Sequence, residues 1–169
     1  LPFATPHPPR PRSEPAWSTP RPPEPTACRA DAGSLQCLPA AGGSLAVSTY
    51  QAGKVLFVSA IGDQLSLLPR HFDKPMGMAF AGRRAALATR HDVTLFADAP
   101  LLAPDYLPDR PNAYDALYLP RATYHTGDLN VHDVAFGEEG LWLVATRFSC
   151  LASLSKDVNF VPRWRPKFV

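Results

Sequence analysis

A short phrase occurs three times along this chain of 169 residues. Leu45-Ala-Val-Ser-Thr49 returns as Ala86-Leu-Ala-Thr89-Arg90 and again as Leu143-Val-Ala-Thr146-Arg147. The later copies share a lead-in, Gly77-Met-Ala-Phe80 before one and Asp133-Val-Ala-Phe136 before the other. After a few loop residues each copy is followed by a second apolar run: Val55–Val58, Val93–Phe96 and Cys150–Leu154. Short strand units recurring on this scale are the mark of a radially repeated sheet. The pattern predicts an all-β fold of consecutive antiparallel sheets, arranged as about three partial β-propeller blades. A β-sandwich or barrel is the alternative architecture.

Spacing refines the repeat. Thr49 and Thr89 lie 40 residues apart, close to one four-stranded blade, whereas Thr89 and Thr146 lie 57 apart. The excess falls on residues 99–112, where Pro100, Pro104, Pro108 and Pro111 make a rigid loop without strands. Long insertions on one face of a repeat protein are where binding is usually elaborated. Ten strands are expected, near residues 45–49, 55–59, 64–68, 76–81, 85–89, 93–96, 117–124, 131–136, 141–146 and 150–154. Gly82-Arg83 and Glu138-Glu139-Gly140 supply hairpin turns. Residues 34–43 have room for one helical turn, with Pro39 and Gly42-Gly43 set against anything longer.

The first 27 residues contain ten prolines and almost no apolar periodicity. Proline removes backbone donors, so residues 1–33 are expected to form a disordered or polyproline leader ahead of a propeller-like domain over 34–169. Propellers close with roughly four to eight blades, so three units imply a chain truncated at its C-terminal end, or copies that complete a ring together. An open blade edge also predicts self-association. The net charge of +2 describes an ordinary soluble surface. No apolar run approaches the roughly 20 residues of a membrane helix. Cys28, Cys37 and Cys150 lack metal-ligand spacing and read as free thiols in a reducing, cytoplasmic setting, with a Cys28–Cys37 bridge as the alternative.

Four segments resemble, in order, a bacterial conserved-hypothetical family described only as a domain of unknown function, DUF4915. They are Ser48-Thr-Tyr-Gln-Ala-Gly-Lys54, Tyr124-His-Thr-Gly-Asp-Leu-Asn-Val-His-Asp133, Thr146-Arg-Phe-Ser-Cys-Leu-Ala152 and Phe160-Val-Pro-Arg-Trp-Arg-Pro166. The resemblance covers about residues 44–169 and implies the front part of a longer, propeller-like protein. It implies no reaction.

The densest polar constellation is His125, Asp128, Asn130, His132 and Asp133. Imidazole and carboxylate are the usual ligands of Zn, Fe or Mn, so His125, His132 and Asp133 are candidate ligands for a divalent transition metal. The plainer account is a loop held by turn bonds. Arg90 and Arg147 hold equivalent repeat positions, where paired guanidinium forks suit an anionic ligand; tying one blade to the next through backbone carbonyls is the structural alternative. Cys150 fits a small buried hydrophobe better than a nucleophile. The Arg163-Trp164-Arg165 stretch lacks a broader basic face, which argues against nucleic acid and for a tryptophan packed between blades.

Three classes of function remain open. The first is a binding or scaffolding propeller whose pocket for a small polar or peptide ligand is lined by Tyr50, His125, Asp128, His132, Asp133 and Arg147. The second is a metal-assisted enzyme built on the His125/Asp128/His132/Asp133 cluster. The third is a purely structural interaction module.

Overall fold

In the computed structural model of the chain, residues 32–61 and 64–168 are described. The expectations for the proline-rich leader, for Cys28 and for its bridge to Cys37 lie outside those residues, except that positions 32 and 33 open a helix. That helix, α1 (Ala32–Ala41), is followed by eleven strands. A first antiparallel sheet holds β1 (Leu45–Thr49), β2 (Lys54–Ile61) and β3 (Gln64–His71) in that order. A second holds β4 (Met78–Ala81), β5 (Arg84–Ala88), β6 (Asp92–Asp98) and β7 (Tyr118–His125). The third holds β8 (Val131–Gly137), β9 (Gly140–Ala145), β10 (Cys150–Ser153) and β11 (Val161–Trp164). The sheets are consecutive, up-and-down and unclosed. The arrangement is consistent with the partial blades the repeat predicts, and it does not close into a barrel.

Each copy of the repeated phrase forms an equivalent strand. β1, β5 and β9 pair with β2, β6 and β10 through Thr49↔Lys54, Ala88↔Val93 and Ala145↔Cys150. In the second and third sheets the phrase strand has an inner neighbour, β4 or β8. In the first sheet β1 is itself the edge.

The main core lies between the second and third sheets. Ala86, Ala88 and Val93 pack with Val131, Val134, Leu143, Ala145, Cys150 and Ala152. Cys150 is thus a buried core residue, and Cys37 is exposed on α1. Gly77 marks the closest approach. A Cβ built there would stand 2.5 Å from Asp133 Cα and 2.8 Å from Val134 N, both backbone atoms of the neighbouring sheet. No side chain fits where these two backbones meet.

Four details depart from expectation. The helix is longer than one turn, because the glycines expected to break it serve as its cap: Gly42 adopts φ +66° and Gly43 N–H donates to the Leu38 carbonyl at 3.5 Å. A strand the sequence did not announce, β11, carries Pro162; on the outer edge of a sheet a missing N–H has no ladder to interrupt. Trp164 is exposed rather than packed between sheets, and Arg163 Nε donates to Ser153 Oγ at 2.8 Å. The proline-rich insertion joins β6 to β7, so it belongs inside the second sheet. Among the described residues no helix is long and apolar enough to cross a membrane.

Candidate functional site

The three phrase strands end on one cavity. Its volume is about 160 Å³, and Tyr50, Lys74, Met76, Thr89, Arg90, Asp128, Asn130 and Arg147 line it. Tyr50, Arg90 and Arg147 each directly follow the threonine that closes a copy of the phrase. Thr89 of the second phrase adds to the lining, and the rest comes from the connectors between sheets, β3–β4 for Lys74 and Met76 and β7–β8 for Asp128 and Asn130.

Local hydrogen bonds explain the convergence. Thr49 Oγ1 donates to the Lys54 carbonyl at 2.8 Å and Thr89 Oγ1 to the Asp92 carbonyl at 3.3 Å, closing their hairpins. Thr146 Oγ1 instead donates to the Asn130 carbonyl at 2.8 Å and ties the phrase to the preceding connector. The repeated threonine therefore shapes the turn, and the residue after it is aimed at the cavity.

The connectors repeat as well. Arg90 N–H donates to the Asp73 carbonyl at 3.0 Å and Arg147 N–H to the Leu129 carbonyl at 3.2 Å. The next residues, Lys74 and Asn130, both adopt the left-handed conformation, at φ +48° and +54°. Such a φ is uncommon for a side-chain-bearing residue, and it recurs where each connector turns along the cavity wall. The His91 carbonyl then accepts from Thr126 N–H at 2.9 Å, Gly127 N–H at 3.1 Å and Thr126 Oγ1 at 3.1 Å. These bonds fasten the connector that carries Asp128 to the turn that carries Arg90. First and second sheets are joined at the same place by Ser48 Oγ donating to the Met76 carbonyl at 2.7 Å.

Charge around the cavity is lopsided. Three cations, Lys74, Arg90 and Arg147, face one carboxylate, Asp128. Arg147 Nη1 meets Asp128 Oδ2 at 3.3 Å, and Lys74 Nζ sits 5.4 Å from the centre of the Tyr50 ring. Arg90 is exposed and takes part in no ion pair or side-chain hydrogen bond among the described residues.

Of the residues singled out from sequence, Tyr50, Asp128 and Arg147 meet in the cavity, and His125, His132 and Asp133 stand apart from its lining. His125 ends the outermost strand of the second sheet, exposed, with Nδ1 2.5 Å from Asp92 Oδ1 on its register partner. His132 is the extra residue of a bulge in β8, between the pairs Val131↔Ala145 and Asp133↔Val144. Asp133 Oδ1 accepts from Val134 N–H at 2.8 Å. Among the described residues no three His, Cys, Asp or Glu side chains gather where they could hold one metal ion. The chain places the three candidate ligands on two sheets and leaves them unassembled. The equivalence of Arg90 and Arg147 was legible in the repeat; Lys74 was missed, because its connector shares a conformation with the later one and little sequence.

The insertion does not contribute to this cavity. It links Asp98 to Tyr118, whereas Arg90 and Asp128 lie beyond the opposite ends of the same strands, at Asp92 and His125. Seven strand residues separate the two ends by roughly 20 Å.

A unit of up-and-down antiparallel sheets with a polar cavity at the strand ends defines the class. The chain belongs to the family described as Domain of unknown function (DUF4915), whose model matches residues 33–169. No curated protein and no solved structure matches it at a significant level.

Proposed function

We propose that the three sheets are successive propeller blades and that the protein is a binding module, taking a small polar or peptide ligand in the cavity where they meet. One observation carries this: the same phrase, in three successive sheets, delivers its next residue (Tyr50, Arg90 and Arg147) to one shared cavity. The approach of β4 to β8 at Gly77 supports a radial stacking of sheets. Concave sites with a few convergent polar groups are where small ligands bind. Metal-assisted catalysis draws no support from the placement of His125, His132 and Asp133.

The test is a two-dimensional amide NMR titration of the whole chain with a fragment set of neutral polyols, dipeptides and small acids. Saturable shifts confined to Tyr50, Lys74, Arg90, Asp128, Asn130 and Arg147 are expected. No saturable shift, or shifts confined to residues 99–117, would overturn the assignment.

A further inference from the structure

We infer that the cavity selects a small oxyanion, a carboxylate or phosphate group on a compound of about six to ten non-hydrogen atoms, with Arg90 as its principal anchor. This deepens the preceding proposal and rests on the cavity being a ligand site.

Charge on the cavity wall sets the sign of the ligand. With three cations and one carboxylate in the lining, a neutral or cationic guest would leave positive charge uncompensated. The three cations are not equivalent. Asp128 engages Arg147 at 3.3 Å, and the Tyr50 ring engages Lys74 at 5.4 Å. Arg90 alone among them has no side-chain partner among the described residues, and its guanidinium presents a planar fork of N–H donors matched to the two oxygens of a carboxylate or phosphate. Its backbone is held by the N–H bond to the Asp73 carbonyl at 3.0 Å, so the side chain starts from a fixed point.

Asp128 gives the site directionality. Paired with Arg147 it leaves the net positive charge nearest Arg90 and Lys74, and it disfavours a second anionic group beside it. Asn130 and Thr89 add uncharged polar groups to the same lining. Size follows from volume. A cavity of about 150 Å³ accommodates a benzene-sized guest, so 160 Å³ suits a short-chain carboxylate or a small phosphate and excludes a nucleotide from full enclosure.

The inference is tested with butyrate, inorganic phosphate and neutral erythritol, each titrated at low ionic strength into protein labelled for observation of arginine Nε–H signals. Saturable movement of the Arg90 signal with butyrate or phosphate is expected, with no saturation by erythritol. Whichever anion binds more tightly assigns the group as carboxylate or phosphate. Arg90→Gln should weaken that binding about tenfold or more, the loss of a charge-assisted hydrogen bond, and Lys74→Gln by less. His125→Ala, outside the cavity, should leave it within about twofold, since no contact is removed. Amide dispersion of each variant reports its folding, and Lys74→Gln serves should Arg90→Gln fail to fold. Erythritol binding without anion binding would overturn the inference and leave the ligand site standing. Anion binding undiminished in Arg90→Gln and Lys74→Gln would place the anion elsewhere. Absence of saturation with all three probes overturns the inference; the wider fragment set then decides the site itself.

Discussion

The first sheet and the third carry the same phrase in the same strand position, yet their surroundings differ. In β9, Leu143 and Ala145 are fully buried. Their counterparts on β1, Ala46 and Ser48, are only partly covered, and on the opposite face Leu45 and Val47 are 53% and 38% exposed. The second sheet resembles the third, with Ala85, Ala86, Leu87 and Ala88 all buried. A strand's sequence sets its pairing and the alternation of its side chains. Whether a face is buried depends on an inner strand and a neighbouring sheet, and β1 has no inner strand among the described residues.

The largest effect expected from this contrast is in the core. Leu143→Ala should destabilise the protein by about 4 kcal/mol, the cost of a cavity in a packed interior. Val47→Ala on the equivalent strand of the first sheet should cost under about 1 kcal/mol. Chemical denaturation midpoints measure both. If Val47→Ala costs as much as Leu143→Ala, β1 is covered in solution, and light scattering would then show the self-association that an unpaired edge invites.

Next in size is the contact between sheets. Gly77→Ala forces a methyl into the backbone of Asp133 and Val134, atoms that move only with the strand, and should cost about 3 kcal/mol. Gly42→Ala, at the helix that precedes the first sheet, meets open space and suffers only from its φ of +66°, so about 1 kcal/mol is expected. Equal losses in thermal or denaturant unfolding would mean that the second and third sheets are not in tight backbone contact.

Those substitutions also mark what could be read in advance. Alternation and turn residues announced ten of the eleven strands, since strand and hairpin signals are local. β11 escaped because Pro162 argues against a strand unless its edge position is known. In the cavity, Arg147 was recognisable from its repeat position, Asp128 from the polar cluster over residues 125–133 and Tyr50 from the motif over residues 48–54. The His125–Asp92 pair was not, because it joins residues 33 apart through the register of β6 and β7.

The smallest effect concerns the rim of the second sheet. There Tyr118 on one edge strand meets Phe80 on the other edge strand, edge to face, with ring centres 5.6 Å apart; in the first sheet no strand precedes β1 among the described residues. Burial, and secondarily the Asp98 carboxylate, holds the Tyr118 phenol above its ordinary value of 10.0. The unfolded chain then releases this proton first as pH rises, so the contribution is complete below about pH 10 and is lost above it. Tyr118→Phe should flatten the fall of the melting temperature between about pH 9 and pH 11. An unchanged fall would assign it to other groups.

The amino-acid sequence by itself determined the repeat, the strands other than β11, most of the turns and the pairing of each phrase with the next strand, because these depend on side-chain alternation and turn chemistry within a few residues. Only the tertiary structure decided which copies of the phrase are buried, that His125, His132 and Asp133 stand apart, and that Lys74 joins Arg90 and Arg147 around one cavity. Those outcomes depend on sheet stacking and on connectors held by backbone hydrogen bonds, which donor and acceptor groups common to every residue can make.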